Sequence, residues 1–329
     1  MVFNWGIIGP GQIAKIFADD LKFITGVQQN IGPVLQHSPS SGEEFSKKFN
    51  IGKLCNNMQQ FVAEKMDAVY IATPHPFHHD EALACLKSRI PVLCEKPITI
   101  NSIQLNELIK TSLEKNTFLM EGMWIRFLPS VKKLLELTEG NMIGKVLSIK
   151  AGISYRAPDD KDNRYFNPDL GGGSLLDLGI YPVFLATLLL GKPSAVKAVA
   201  SISEQGIDKA CSVLLDYEDD QYASLESSLI TQSENQVAEI TGEKGMIKIL
   251  SPWFEKPAGI ELEIYDETKE KFPCEWEGHG FQFEAAEVNH CLEKKRIESL
   301  LMPHALSLQV VEIMDEVRKQ VNVKYEKFE

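Results

Sequence analysis

The sequence predicts an α/β chain in two parts: a doubly wound parallel sheet, then an α+β domain built on a mostly antiparallel sheet with helices on one face. Three observations predict it. At roughly 150 residues per domain, 329 residues make about two domains. Up to residue 122, short apolar runs alternate with helix-length amphipathic segments, the pattern of βαβ units. Beyond it, strands come in neighbouring pairs joined by tight polar links, the pattern of hairpins. No Gly/Ser-rich linker marks the junction, so this change of pattern alone sets the expected boundary, 1–122 and 123–329.

Phe3–Ile8, Ala68–Ala72, Pro91–Cys94 and Thr117–Met120 are short apolar runs flanked by Gly, Pro or Lys. Pro76–Lys87 and Ser102–Lys115 are long enough to be crossover helices between them. Ile31–Ser38 is an unusually polar candidate for the second strand. In the second part, Cys211–Tyr217 and Gln221–Leu229 flank Glu218-Asp219-Asp220. A further hairpin is expected where Gln236–Thr241 and Met246–Leu250 flank Gly242-Glu243-Lys244-Gly245, a link rich in residues that tolerate positive φ. Lys145–Tyr155, Ala195–Ser203 and Ile260–Tyr265 complete the sheet, under helices at Ser174–Leu190, Gln282–Lys294 and His304–Gln320.

Composition narrows the function classes. Hydrophobic residues at 44% and charged residues at 24% leave no room for a disordered or fibrous chain. The net charge of −12 disfavours nucleic acid and anionic membrane surfaces as partners. The apolar stretch Val183–Leu190, eight residues, is too short for a bilayer, which needs roughly 18 or more. Six cysteines with no CxxC pair and no cationic signal-like start point to reduced thiols and a cytoplasmic protein.

Gly9-Pro10-Gly11-Gln12-Ile13-Ala14 follows the first strand and opens a helix, as in the first turn of a dinucleotide-binding fold. Gly9 permits the tight turn, Gly11 admits a pyrophosphate, and the helix start at Gln12 and Ile13 offers free N–H groups to it. An NAD site usually carries an Asp or Glu at the end of the second strand to hold the ribose 2′-hydroxyl. Here there is none, and His37 and Ser38 would suit a 2′-phosphate, which favours NADP over NAD. Thr73, Pro74, His75 and His78 follow the next strand and are read as a cofactor-lining loop, since no HExxH spacing supports a metal. Glu95-Lys96-Pro97 sits at the following strand end, where a lysine suits proton donation or polarisation of a substrate oxygen. Gly171-Gly172-Gly173 leads into a helix carrying Asp177 and Tyr181 on one face, an odd carboxylate and phenol in an apolar segment.

The order and spacing of GxGxxA at Gly9–Ala14, ATPxxxH at Ala72–His78, EKP at Glu95–Pro97 and GGGxxxD at Gly171–Asp177 resemble the Gfo/Idh/MocA family. That is the glucose-fructose oxidoreductase and inositol dehydrogenase family of NAD(P)-dependent enzymes. Glu121-Gly122-Met123-Trp124-Ile125-Arg126-Phe127-Leu128-Pro129, with a Tyr at 181, is most similar to its branch of dimeric dihydrodiol and NADP-dependent D-xylose dehydrogenases. The resemblance implies a Rossmann domain, an open-faced sheet domain and an active site between them. It implies Lys96, Asp177 and Tyr181 as catalytic residues, with Tyr181 where the wider family has His, and a cis peptide before Pro97. Glu95, Lys96, Trp124 and Arg126 are then expected against the cofactor. Lys96, Trp124, Tyr155, Asp177 and Tyr181 are expected against the substrate. The family often has Arg where His37 stands.

The expected activity is reversible hydride transfer between a nicotinamide and a carbinol carbon of a sugar, polyol or cyclic trans-diol. A catalytically silent NAD(P)-binding sensor is the alternative. The open sheet face, alternating along Tyr222–Leu229, is expected to make a homodimer or a dimer of dimers.

Overall fold

A computed structural model describes residues 2–158, 163–267 and 269–329. The chain forms two compact units, Met1–Trp124 with Glu277–Leu308, and Ile125–Trp276 with Gln309–Glu329.

The first unit alternates β1 (Val2–Ile8), α1 (Gln12–Asp20), β2 (Gln28–Leu35), α2 (Pro39–Phe49), β3 (Leu54–Cys55), α3 (Met58–Val62), β4 (Ala68–Ile71), α4 (His78–Lys87), β5 (Val92–Glu95), α5 (Ser102–Lys115) and β6 (Leu119–Gly122). Its strands are all parallel, in the order β3-β2-β1-β4-β5-β6. The order reverses between β1 and β4, and carboxyl ends at such a reversal form a ligand crevice. β4 and β5 are buried throughout, which is why they read as unbroken apolar runs. Phe17 of α1 lies flat on Tyr70 of β4 at 3.8 Å and edge-on to Trp5 of β1 at 5.1 Å, tying helix to sheet.

The polar strand β2 ends at Leu35 rather than Ser38. Its register shifts between the Ile31 and Val34 pairings, because Pro33 has no N–H to give the ladder. His37 therefore lies just past the strand's carboxyl end. Ser38 precedes α2, whose first residue is Pro39.

The second unit contains α6 (Pro129–Glu139), β7 (Val146–Ser154), a wide π turn (Leu175–Gly179) running into α7 (Ile180–Leu190), and β8 (Ala195–Ile202). It continues with β9 (Asp208–Asp216), β10 (Tyr222–Ser228), β11 (Ala238–Gly242), β12 (Gly245–Ile249), β13 (Ile260–Ile264) and β14 (Lys269–Phe272). The sheet runs β14-β13-β12-β11-β7-β10-β9-β8 and is antiparallel except where β7 meets β10. Both expected hairpins form, β9 with β10 and β11 with β12. One face, with Ile149, Ala151, Leu225, Leu215, Ile240, Ile247 and Leu262, is buried, and α7 and the π turn pack on β7 and β10. On the opposite face Lys271, Glu261, Lys248, Glu239 and Lys150 stand in one row across β14, β13, β12, β11 and β7. Each charge has opposite charges as cross-strand neighbours. Farther along that face Val199, Leu214 and Tyr222 are exposed.

Pro168–Leu190 is 23 residues long and, by length and composition, apolar enough to span a membrane, a longer run than Val183–Leu190 alone suggests. Its most apolar stretch is mostly buried inside the protein, and a segment apolar all round is what a core helix looks like.

The expected boundary assigned everything after residue 122 to the second part, whereas the structure returns 277–308 to the first unit. The reason is hydrogen-bond supply. α8 (Phe281–Glu293) needs acceptors for its first N–H groups, and buried Asp20 accepts from His279 (2.9 Å), Gly280 (2.8 Å) and Phe281 (3.1 Å). Leu119 N–H then donates to the Ile297 carbonyl at 3.0 Å. His304, first residue of α9 (His304–Val321), bonds the Leu119 carbonyl at 2.9 Å.

Candidate active site

In the first unit the candidate residues gather on the loops after β1, β2, β4 and β5. Gly9 has φ +79, and a Cβ there would stand 2.7 Å from Thr73 Cγ2 and 2.9 Å from the Ala72 carbonyl carbon, so only glycine fits. Gly11 begins α1 with no side chain capping it and no acidic residue in the first turn, while the nearest atom to a Cβ there would be 4.0 Å away. Open space therefore meets the positive end of a helix dipole, and Gln12 and Ile13 stand in that first turn.

The loop after β4 is linked to the end of β2. Thr73 Oγ1 donates to Glu81 Oε2 at 2.6 Å, and Glu81 Oε1 lies 2.7 Å from His37 Nε2. Glu81 is buried and His37 is more than half exposed. The hydrogen bond from Glu81 raises the His37 pKa above its ordinary value. Pro74 and His75 open a short 3₁₀ turn in which His75 is buried beside His78, ring centres 5.9 Å apart.

His78 was expected to line the cofactor. The structure buries it completely, with Nε2 2.8 Å from the Thr73 carbonyl and Nδ1 2.8 Å from the Pro97 carbonyl. The ring thus sits between the two loops, its N–H donating to one of these carbonyls. Burial lowers its pKa.

Lys96 is half-buried at the end of β5, and its peptide bond to Pro97 is cis. Glu95 was also expected against the cofactor but is buried beneath the loop. It accepts the Tyr70 hydroxyl at 2.5 Å and the Lys96 N–H at 3.2 Å. Close by, Glu121 of β6 accepts the Ile98 N–H at 3.0 Å, and burial pushes its pKa up to about 7. Glu284 of α8 is buried with both oxygens unpartnered, and burial together with Glu95 drives its pKa well up. Trp124 lies flat on Phe281, ring centres 5.1 Å apart, and is 8% exposed.

In the second unit, Asp177 and Tyr181 are buried where the π turn joins α7. Arg164 Nη2 reaches Asp177 Oδ1 at 3.4 Å, its guanidinium 4.3 Å over the Tyr165 ring. Tyr155, exposed, is 5.5 Å from Tyr165 between ring centres, and Tyr181 is 6.2 Å from Phe254. Arg126 is half-buried in the short turn after Trp124. The glycine run is clamped from behind. Asp208 Oδ2 accepts from Ser174 Oγ (2.6 Å) and Leu175 N (2.7 Å), and the Tyr325 hydroxyl donates to the Gly172 carbonyl at 2.5 Å. Burial pushes the Asp208 pKa up to about 6. No group of three or more His, Cys, Asp or Glu stands at metal-holding distance among the described residues.

Two family models match this chain. Residues 3–123 fit the oxidoreductase-family NAD-binding Rossmann fold, and residues 131–248 fit the GFO/IDH/MocA C-terminal domain. The chain belongs to the Gfo/Idh/MocA oxidoreductase family. It is 33% identical to the trans-1,2-dihydrobenzene-1,2-diol dehydrogenase of Mus musculus over 99% of this chain and 98% of that protein. Its fold matches levoglucosan dehydrogenase, solved with NADH and levoglucosan, with a TM-score of 0.86 at 17% identity, covering 98% of each chain. It also matches a 3-ketoreductase from Actinomadura kijaniata, solved with NADP, with a TM-score of 0.84 at 22% identity and the same coverage. This Gfo/Idh/MocA oxidoreductase thus carries an NAD(P)-binding Rossmann fold, and the open Gly11 turn and uncapped start of α1 fit a dinucleotide pyrophosphate.

Glu81, Arg164 and Glu284 had no motif to announce them. Glu81 and Glu284 carried one signal, an acidic residue set in a helical pattern where burial was expected.

Proposed function

We propose that this oxidoreductase is an NADP-preferring dehydrogenase that oxidises a carbinol of a sugar, a polyol or a cyclic trans-diol, reversibly. The observation that carries the reading is Lys96 on its buried anchor, seated by Glu95, Tyr70 and His78 at the carboxyl end of β5. The name of the mouse relative supports the diol and those of the structural neighbours the sugar.

A bound nicotinamide supplies the hydride acceptor at its C4. Gly9, Gly11, Gln12 and Ile13 would hold the pyrophosphate, His37 and Ser38 a 2′-phosphate, and Thr73, Pro74, His75, Trp124 and Arg126 the rest of the dinucleotide. Tyr181 takes the substrate hydroxyl proton as general base. To act so its phenol must ionise, and a positive charge beside a phenol favours that. Asp177, steadied by Arg164, orients substrate hydroxyls, and Tyr155 offers an aromatic wall to a ring.

The test mixes pure protein with NADP or NAD and a panel of D-xylose, D-glucose and cyclic trans-diols, following reduced-cofactor absorbance. Turnover with one of them is expected, falling about 10²–10⁴-fold in Tyr181→Phe and Lys96→Met. Cofactor binding with no turnover across the panel would favour a silent sensor. Wild-type turnover in Tyr181→Phe alone would leave the proton to lysine. The buried thiols of all six cysteines suit a reducing cytoplasm. The exposed Val199, Leu214 and Tyr222 suit a second subunit, so a homodimer is expected in light scattering.

A further inference from the structure

The end of β2 lacks the carboxylate that ordinarily reads the ribose, yet a carboxylate is there in space, brought from the first turn of α4. We propose that Glu81 is the residue that sets cofactor preference in this enzyme, acting through His37 so that preference for NADP over NAD falls as pH rises. The inference rests on the NADP reading above.

The geometry is specific. Glu81 is buried and spends one oxygen on Thr73 Oγ1 (2.6 Å) and the other on His37 Nε2 (2.7 Å). Thr73 packs against Gly9 of the pyrophosphate turn, so the carboxylate braces two of the loops that would hold the cofactor. His37 remains more than half exposed, and its ring stands 6.4 Å from Phe77. With Nε2 held by Glu81, Nδ1 is the nitrogen left to face a ligand. Of the charges on α1, α2 and α4, Lys15 is paired with Glu44 at 2.6 Å and Asp80 with His79 at 2.9 Å, while Glu43 and Lys47 of α2 are not among the groups that act on His37. Glu81 is the charged group that acts on His37.

Two protonation states then give two sites. With His37 protonated, the pair is neutral overall and offers an N–H donor to a 2′-phosphate. With His37 neutral, the local charge is that of Glu81 alone, which repels a phosphate dianion and tolerates a ribose hydroxyl. Since Glu81 raises the His37 pKa, the changeover lies above that of a free imidazole.

Dissociation constants for NADP and for NAD are measured by titration calorimetry on the full chain from about pH 6.5 to about pH 9, in wild type, Glu81→Gln and His37→Asn. In wild type, the NADP-over-NAD affinity ratio should fall with rising pH while NAD affinity stays nearly level. Glu81→Gln should raise the ratio about five-fold at the alkaline end, because a negative charge has been removed beside the phosphate. His37→Asn should flatten the pH dependence. An unchanged ratio in Glu81→Gln, or equal weakening of both cofactors, overturns the proposal, since a merely structural Glu81 would do that. A pH-independent wild-type ratio overturns it while leaving the dehydrogenase reading intact. Binding of neither cofactor at any pH removes both.

Discussion

The chain has two glycine-rich turns that open helices, and they use glycine for opposite ends. In the first turn Gly9 fits closely against Thr73, but Gly11 creates emptiness: a Cβ at Gly11 would meet nothing closer than 4.0 Å, and no side chain caps the helix behind it. At Gly171–Gly173 the glycines create contact. A Cβ at Gly172 would lie 2.7 Å from the Tyr165 carbonyl oxygen, and one at Gly173 would lie 2.6 Å from Asp208 Oδ1. The first turn leaves its N–H groups for a ligand, whereas the second has Asp208 accepting the Leu175 N–H and the Ser174 hydroxyl. One stands open, and the other is a clamp that sets the π turn and, with it, Asp177 and Tyr181. Glycine beside a helix start is therefore no sign of a phosphate until its surroundings are known.

The sharpest way to break this contrast is Gly173→Ala. Its φ of +119 strains any side chain, and the added methyl would press on a buried carboxylate. A loss of about 3 kcal/mol is expected, read as a lower thermal midpoint in calorimetry. A variant as stable as wild type would show that the second turn is not a clamp.

A somewhat smaller effect probes the clamp's charge. Burial raises the Asp208 pKa from 3.8 to about 6, so between those values the folded chain keeps a proton that the unfolded chain has released. That contribution to stability is present below pH 3.8 and is lost as pH rises through about 6. Asp208→Asn keeps an oxygen acceptor and removes the titration. Its stability relative to wild type should improve by on the order of 2–3 kcal/mol between about pH 4 and about pH 7. A difference that stays flat with pH would mean that Asp208 is charged throughout.

The two turns also differ in how far the sequence discloses them. Gly9, Gly11 and Ala14 are spaced within one local strand-turn-helix, so a motif discloses them, although what crowds Gly9 is the distant Thr73. The parallel runs of β4 and β5 were legible for the same reason, since burial on both faces leaves no polar position. The clamp and the His37–Glu81 pair are assembled from distant segments: Ser174 and Asp208 are 34 residues apart, and His37 and Glu81 are 44 apart. Nothing in periodicity couples such positions. The burial of His78 and Glu95 was not legible either, because sequence gives a loop's position without saying which of its side chains turn inward. The segment 277–308 followed Asp20, a single buried carboxylate that pattern reading had no reason to connect with residues near 280.

The smallest effect on stability is expected at Gly11, and its sign sharpens the contrast. Gly11 has φ −84 and ψ −163, extended backbone that any residue adopts, and a methyl there meets open space. Gly11→Ala should therefore leave the fold intact or stabilise it by about 0.5 kcal/mol, since alanine restricts the unfolded chain more than glycine does. The same methyl occupies the space through which a pyrophosphate would reach the N–H groups of α1, so dinucleotide affinity should fall about ten-fold or more. Calorimetric midpoints and cofactor titrations on one preparation give both quantities. A rise in midpoint with a loss of affinity marks a turn kept open for a ligand, at some expense of stability. Loss of both would make it a second clamp, and loss of neither would move the pyrophosphate away from α1.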